Sequence, residues 1–259
     1  MAKSSTTTPS SLSDRLKDVR ARIAAACAKA KRDPSSVTLV AVTKYAAPEQ
    51  IREIIKLGVG DLGENRVQQL VQRAGQFGEF HQRLGTTDAT VPAKLRWHMI
   101  GHLQRNKVKP LLPVAAMIQT IDSLRLAEEI ETQLERTEKK LPVLLQVNTS
   151  EEGQKSGVAV GAAVHLAEQI ATMDHLQMAG IMAMAAEGAD EGKVRHTFAR
   201  TREIFEEMKW NKIGGANMRH LSMGMTQDFE WAIEEGATIV RVGSALFGGR
   251  PDGMADEDE

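Results

Sequence analysis

VTLVAVTKYAAPEQIREIIKLG (residues 37–58) sets a run of β-branched and apolar residues ahead of a helix that Pro48 opens and Gly58 closes. Val37 to Val42 has the near-continuous apolar composition of a strand covered on both faces, as in a parallel sheet. Pro48 suits a first helical turn, and Gly58 suits the left-handed residue after a last one. The stretch predicts one strand–helix unit, and the number of times the chain repeats it decides the fold.

Upstream, Ser11-x-x-Asp14 resembles a capping box before a long amphipathic helix that ends near Arg32. Downstream the unit recurs: DLGEN (61–65) with RVQQLVQRA, RWHMIG (96–101) with LQRNKVK, and MIQTID (117–122) with SLRLAEEIETQLERTEK. VLLQVN (143–148), LQMAGIMAM (176–184) and HLSMGM (220–225) each precede a helical pattern, and TIVRVGSALFG (238–248) closes the series at eight. Alternating strands and helices imply parallel strands with right-handed crossovers. Eight units in 259 residues fit an α/β fold of (β/α)8 TIM-barrel type with an extra N-terminal helix. On pattern alone a doubly wound sheet remains the alternative. Residues 75–95, between the second and third strands, read as a long turn-rich loop.

Composition sets bounds on function. Net charge is −1, from 33 basic and 34 acidic residues, so no global field steers the chain to nucleic acid or an anionic membrane. No apolar run reaches the roughly 18 residues of a membrane span, and MAKSSTTTPSS has no signal-peptide core. The single cysteine, Cys27, sits in a helical run as a small apolar filler, which fits a reducing, cytoplasmic setting. The expected organisation is a disordered lead-in at 1–10, a barrel at 11–249 and an acidic flexible tail at 250–259.

In such barrels the chemistry gathers at the C-terminal strand ends, where Lys44, Asn65, His98, Asn148, Ser222, Gly243 and Ser244 fall. Two motifs fail on context. Gly58-Val-Gly60-Asp-Leu-Gly63 spells G-x-G-x-x-G but leads from helix to strand, the reverse of a dinucleotide turn. His98 and His102 have zinc-like spacing only if helical, and WHMIGH reads as a strand, so no metal is expected. By contrast, Ser222 with Gly243-Ser244 matches the phosphate cup that barrels build after their seventh and eighth strands. Arg241 shares strand parity with Gly243 and points into the mouth, where a guanidinium needs an acceptor. Lys44, with Val40 and Val42 on its face, enters an apolar surround that favours the neutral, nucleophilic amine. An amine nucleophile, a phosphate cup and an arginine for a ring nitrogen are the parts of a pyridoxal phosphate site.

The motifs AVTK, GEN-x-VQ (63–68), WHMIGHLQRNK (97–107), VNTSEEGQKSG (148–157) and SMGMTQDFEWAI with VRVGSALFG (222–248) are similar to those of the pyridoxal phosphate homeostasis protein family. These are relatives of the alanine racemase N-terminal barrel, and the resemblance spans roughly residues 12–249. It implies pyridoxal 5′-phosphate held as an internal aldimine by Lys44, its phosphate met by Ser222, Gly243 and Ser244, and Arg241 beside the pyridine nitrogen. Asn65 and His98 line the same mouth. Where the family commonly reads Lys-Thr-Lys-Pro, this chain reads Lys44-Tyr45-Ala46-Ala47-Pro48, without a second lysine.

An arginine opposite the pyridine disfavours its protonation and weakens the electron sink. The family's larger racemase relatives take a second base, a tyrosine, from a further domain of a partner subunit. The chain ends soon after its eighth strand, and strand alternation puts its one tyrosine, Tyr45, on the face opposite Lys44. The expectation is a monomeric carrier or regulator of pyridoxal phosphate, with pyridoxal phosphate-dependent apoenzymes as transient partners. A weak amino-acid racemase or lyase, or a barrel binding another phosphorylated metabolite, are the rivals.

Overall fold

Eight short parallel strands each pair with the next, and the last returns to the first. The computed structural model describes residues 11–84, 90–150 and 156–249. Within them the strands are β1 (Thr38–Val42), β2 (Asp61–Glu64), β3 (Arg96–Met99), β4 (Ala115–Ile121), β5 (Leu141–Asn148), β6 (Leu176–Met182), β7 (His220–Ser222) and β8 (Ile239–Val242). Thr38 to Ala41 of β1 lie in register with Ile239 to Val242 of β8, which closes the ring. That closure decides for the barrel over the doubly wound sheet. A two-residue pairing of Val158–Ala159 with Val147–Asn148 stands outside the ring.

Period-two alternation sorts the strand residues into two cores. Val40, Met117, Leu144, Ala179, Met182 and Ile239 fill the interior, while a larger cluster joins the outward strand faces to the helices. On α2 (Pro48–Lys56), Ile51, Ile54 and Ile55 form the buried stripe. Gly58 follows with φ +87°, a left-handed turn that only glycine adopts without strain.

The N-terminal helix α1 (Leu12–Lys29) is capped as its sequence predicts. Ser11 Oγ accepts from the Asp14 amide at 3.1 Å and donates to the Asp14 carboxylate at 2.7 Å. The helix packs against two short helices, Phe229–Glu234 and the one-turn Ser244–Phe247, which follow β7 and β8. Arg15 donates to the Leu246 carbonyl at 2.5 Å, Arg22 pairs with Glu230 at 2.6 Å, and Arg32, just past α1, donates to the Ile233 carbonyl at 2.9 Å.

The turn-rich reading of residues 75–95 is corrected over its first half: α3 runs from Val67 to Leu84. A glycine inside a helix costs about 1 kcal/mol against alanine, and Gly75 and Gly78 both face open space. Phe77 between them is 1% exposed and tilts against Trp97 at 6.5 Å between centroids. Burial of a large apolar side chain, about 1.5–3 kcal/mol, offsets the cost of the two glycines, about 2 kcal/mol together. LQRNKVK, expected as a helix, forms a 3-10 turn at Arg105–Lys107 and the single turn α4 (Val108–Leu111). The lead-in, the tail and residues 151–155 of the VNTSEEGQKSG motif lie outside the described residues. Among those described, no helix is long and apolar enough to cross a membrane.

Candidate functional site

The C-terminal strand ends ring a cavity of about 910 Å³ whose walls include Lys44, Asn65, Arg241, Gly243 and Ser244. These five come from three separate stretches of the sequence. A cavity of this size suits a small-molecule ligand, for which about 300–1,000 Å³ is usual.

Lys44 stands two residues beyond β1, in a turn braced from outside the ring. Arg73 of α3 donates to the carbonyls of Thr43 and Ala46, the second at 3.2 Å, and so clamps the backbone on either side of Lys44-Tyr45. The same guanidinium pairs with Glu64, which is fully buried and also accepts from the Thr43 hydroxyl. The second oxygen of Glu64 has no hydrogen-bond partner among the described residues. Burial pushes this carboxyl above its ordinary range, against the opposing pull of Arg73, Thr43 and the charge of Lys44.

Tyr45 does not turn away from Lys44. Strand alternation stops with β1 at Val42, so both residues of the turn reach the cavity, and Lys44 Nζ lies 4.9 Å from the Tyr45 ring centroid. The tyrosine stands beside the lysine, on the same side of the cavity.

Arg241 is 3% exposed and donates to Ser222 Oγ at 2.6 Å and to the Ala183 carbonyl at 3.0 Å. Burial pulls its guanidinium down to about 10, with the charge of Asp228 working the other way. Asp228 is itself on the wall. Burial pushes its carboxyl up, against a 2.6 Å hydrogen bond from the Met225 amide.

Ser222 and His98 are buried and are not wall residues. Ser222 donates to Gln119 Oε1 at 2.7 Å, Gln119 Nε2 lies 3.0 Å from His98 Nδ1, and His98 Nε2 lies 2.9 Å from Asp61 Oδ1. A line of hydrogen bonds thus runs from Arg241 through Ser222 and Gln119 to His98 and Asp61. Alternation explains the arrangement, since Asp61, His98, Gln119, Ser222 and Arg241 all fall on inward positions of their strands.

Sequence reading missed Gln119, Glu64, Arg73 and Asp228. Gln119 had a visible signal, a polar side chain in strand register with the apolar Ala115 and Met117. Arg73 and Asp228 had none, because their roles depend on contacts across the fold. Of the zinc-like pair, His98 is taken up by Asp61 and Gln119, and His102 faces Asp122 at 3.2 Å. Among the described residues no cluster of His, Cys, Asp or Glu is arranged for a metal. Gly101 between them lets the Asn65 turn approach, since an added Cβ would stand 2.1 Å from the Asn65 carbonyl oxygen.

Residues 9–251 match the family model for the alanine racemase N-terminal domain. A pyridoxal phosphate homeostasis protein from Pasteurella multocida is 35% identical over 235 residues, covering 91% of this chain and 96% of the relative. The crystal structure of an unknown protein from Bifidobacterium adolescentis superposes with a TM-score of 0.85 at 37% identity, covering 91% of this chain and 94% of the other. PipY of Synechococcus elongatus PCC7942, solved with PLP bound, superposes with a TM-score of 0.76 at 27% identity, covering 92% of this chain and all of the other.

Proposed function

The chain belongs to the alanine racemase N-terminal domain family, among the pyridoxal phosphate homeostasis proteins, and from its site we propose that it holds pyridoxal 5′-phosphate covalently at Lys44 and buffers its supply. The observation that carries this reading is that Lys44 and the buried Arg241 face one cavity. A primary amine condenses with an aldehyde, and a guanidinium that only donates suits an unprotonated ring nitrogen.

The donor set fits the cofactor. Lys44 supplies the anchoring amine, and Gly243 with the Ser244 hydroxyl supplies small, polar wall where a phosphate sits. Arg241 meets the ring, with Ser222 and His98 behind it, and Asn65 closes the wall beside Lys44. Bound there, the cofactor supplies an aldehyde for amines and an electron-accepting ring. Arg241 keeps that ring a weak acceptor, because a cation disfavours protonating the nitrogen. Tyr45 adjoins Lys44 instead of facing it across the cavity, so it is poorly placed as a base on the opposite face of the ring. Both features favour holding over turnover. In this reading the recipients are pyridoxal phosphate-dependent apoenzymes of the cytoplasm, met transiently by a monomer.

The test is an absorbance spectrum of the protein titrated with pyridoxal phosphate, followed by borohydride trapping and peptide mapping. The expected label is on Lys44, absent in Lys44→Ala, with no sustained turnover of amino acids. Robust racemase or lyase activity that disappears in Lys44→Ala would replace the carrier reading with an enzymatic one. Binding without a borohydride adduct would point to another phosphorylated metabolite.

A further inference from the structure

We propose that Gln119 is the positioning residue that aims Arg241 into the cavity, acting through Ser222 and held in one orientation by His98 and Asp61. The inference rests on the reading above for what Arg241 meets, and on hydrogen-bond geometry for how it is held.

Arginine only donates, so Ser222 Oγ, 2.6 Å away, must accept from it. The one proton of Ser222 then needs an acceptor elsewhere, and Gln119 Oε1 at 2.7 Å is that acceptor. Turning the amide over would set two donors on Ser222 and leave its hydroxyl proton with nowhere to go, a costly fault in a fully buried group. With its oxygen committed, Gln119 presents its NH₂ to His98 Nδ1 at 3.0 Å, which must offer a lone pair. His98 therefore carries its proton on Nε2 and donates to Asp61 at 2.9 Å. Asp61 also accepts from Arg96, and together the two partners hold it ionised although burial opposes them.

Every donor in this chain points from the mouth of the barrel to its floor, along one path through β8, β7, β4, β3 and β2. Only one amide orientation satisfies all its members, and bonds aligned head to tail reinforce one another. A guanidinium with no carboxylate hydrogen-bonded to it among the described residues thus has its direction set by a neutral amide two hydrogen bonds away. Apolar replacement of Gln119 frees the Ser222 proton to turn, and Arg241 loses Ser222 as a fixed acceptor, keeping only the Ala183 carbonyl.

The first arm of the test uses cofactor-free protein and the solvent exchange of the Arg241 guanidinium protons, followed by nuclear magnetic resonance. Gln119→Leu, with Gln119→Met as the apolar variant closer in shape, is expected to speed that exchange at least roughly tenfold, the loss of one hydrogen bond. Gln119→Glu keeps an acceptor oxygen for Ser222 and is expected to retain the protection. Equal behaviour of the apolar and acidic variants would overturn the proposal, because a merely structural role does not distinguish them.

The second arm titrates pyridoxal phosphate into Gln119→Leu alone and in an Arg241→Ala background. A loss of affinity in the first and none in the second supports action through Arg241; the same loss in both overturns it. Failure to trap any label at Lys44 counts against the cofactor reading alone, and the exchange arm then decides the role of Gln119.

Discussion

Arg241 was legible because it sits at an inward strand position where an ionised group has few reasons to be, and Lys44 because it follows closely on an apolar strand. Ser244 was legible for a different reason, its place after the eighth strand of a barrel. Its hydroxyl tests the phosphate assignment: Ser244→Ala removes one hydrogen bond to a charged group, about 1.5–3 kcal/mol, so cofactor affinity measured by absorbance titration is expected to fall roughly tenfold or more. An unchanged affinity would put the phosphate elsewhere in the cavity. Arg73 was illegible, since nothing local marks it off from other surface-helix arginines. The fold lays it over the Lys44 turn and against Glu64, whose side chain is 0% exposed. Arg73→Ala strands that carboxylate, and breaking a buried pair from one side typically costs about 3–5 kcal/mol. Denaturant unfolding is expected to show a loss of that order, and a pyridoxal phosphate titration a weaker, slower condensation at Lys44.

At the scale of elements, the alternation of strands and helices was readable almost throughout, and the failure at α3 is instructive. Gly75, Gly78 and the polar residues around them gave a turn-like composition, but the helix is held by Phe77 against Trp97. A residue's partner twenty positions on is not visible in a local window. Gly78→Ala fills open space on a helix and is expected to raise stability by about 0.5–1 kcal/mol; a loss would mean that the helix stops short of it. Phe77→Ala removes the contact that holds the segment and is expected to lower stability by about 3–5 kcal/mol. Both are read from urea unfolding midpoints. Tyr45 makes the complementary point, because alternation predicts direction only as far as a strand continues, and β1 ends three residues before it.

For the whole molecule, ring closure joins the first strand to the last. β1 pairs with β8, and α1 grips the helices Phe229–Glu234 and Ser244–Phe247 through Arg22 and Arg15, so the Lys44 turn and the Gly243-Ser244 turn face one cavity. The buried polar chain across the interior gives the assembly a pH signature. Burial alone would raise Asp61, but His98 and Arg96 bring its folded value below the ordinary one. Its contribution to stability is complete above the unfolded carboxyl value of about 3.9 and is lost as pH falls through the folded value. Asp61→Asn should therefore be less stable than the parent at neutral pH, with the difference narrowing as both are acidified below about pH 4 in thermal unfolding experiments. A constant difference across that range would show that Asp61 does not titrate with folding. The sequence by itself determined the repeating unit, the inward parity of each strand, and hence Arg241 as a group facing the interior, because backbone geometry dictates periods of two and 3.6 irrespective of context. Only the tertiary structure decided that the sheet closes, that Ser222 and His98 stand behind Arg241, and that Gln119 orients them. Those outcomes depend on which distant side chains meet, and hydrogen-bond direction in a buried chain is set by all its members at once.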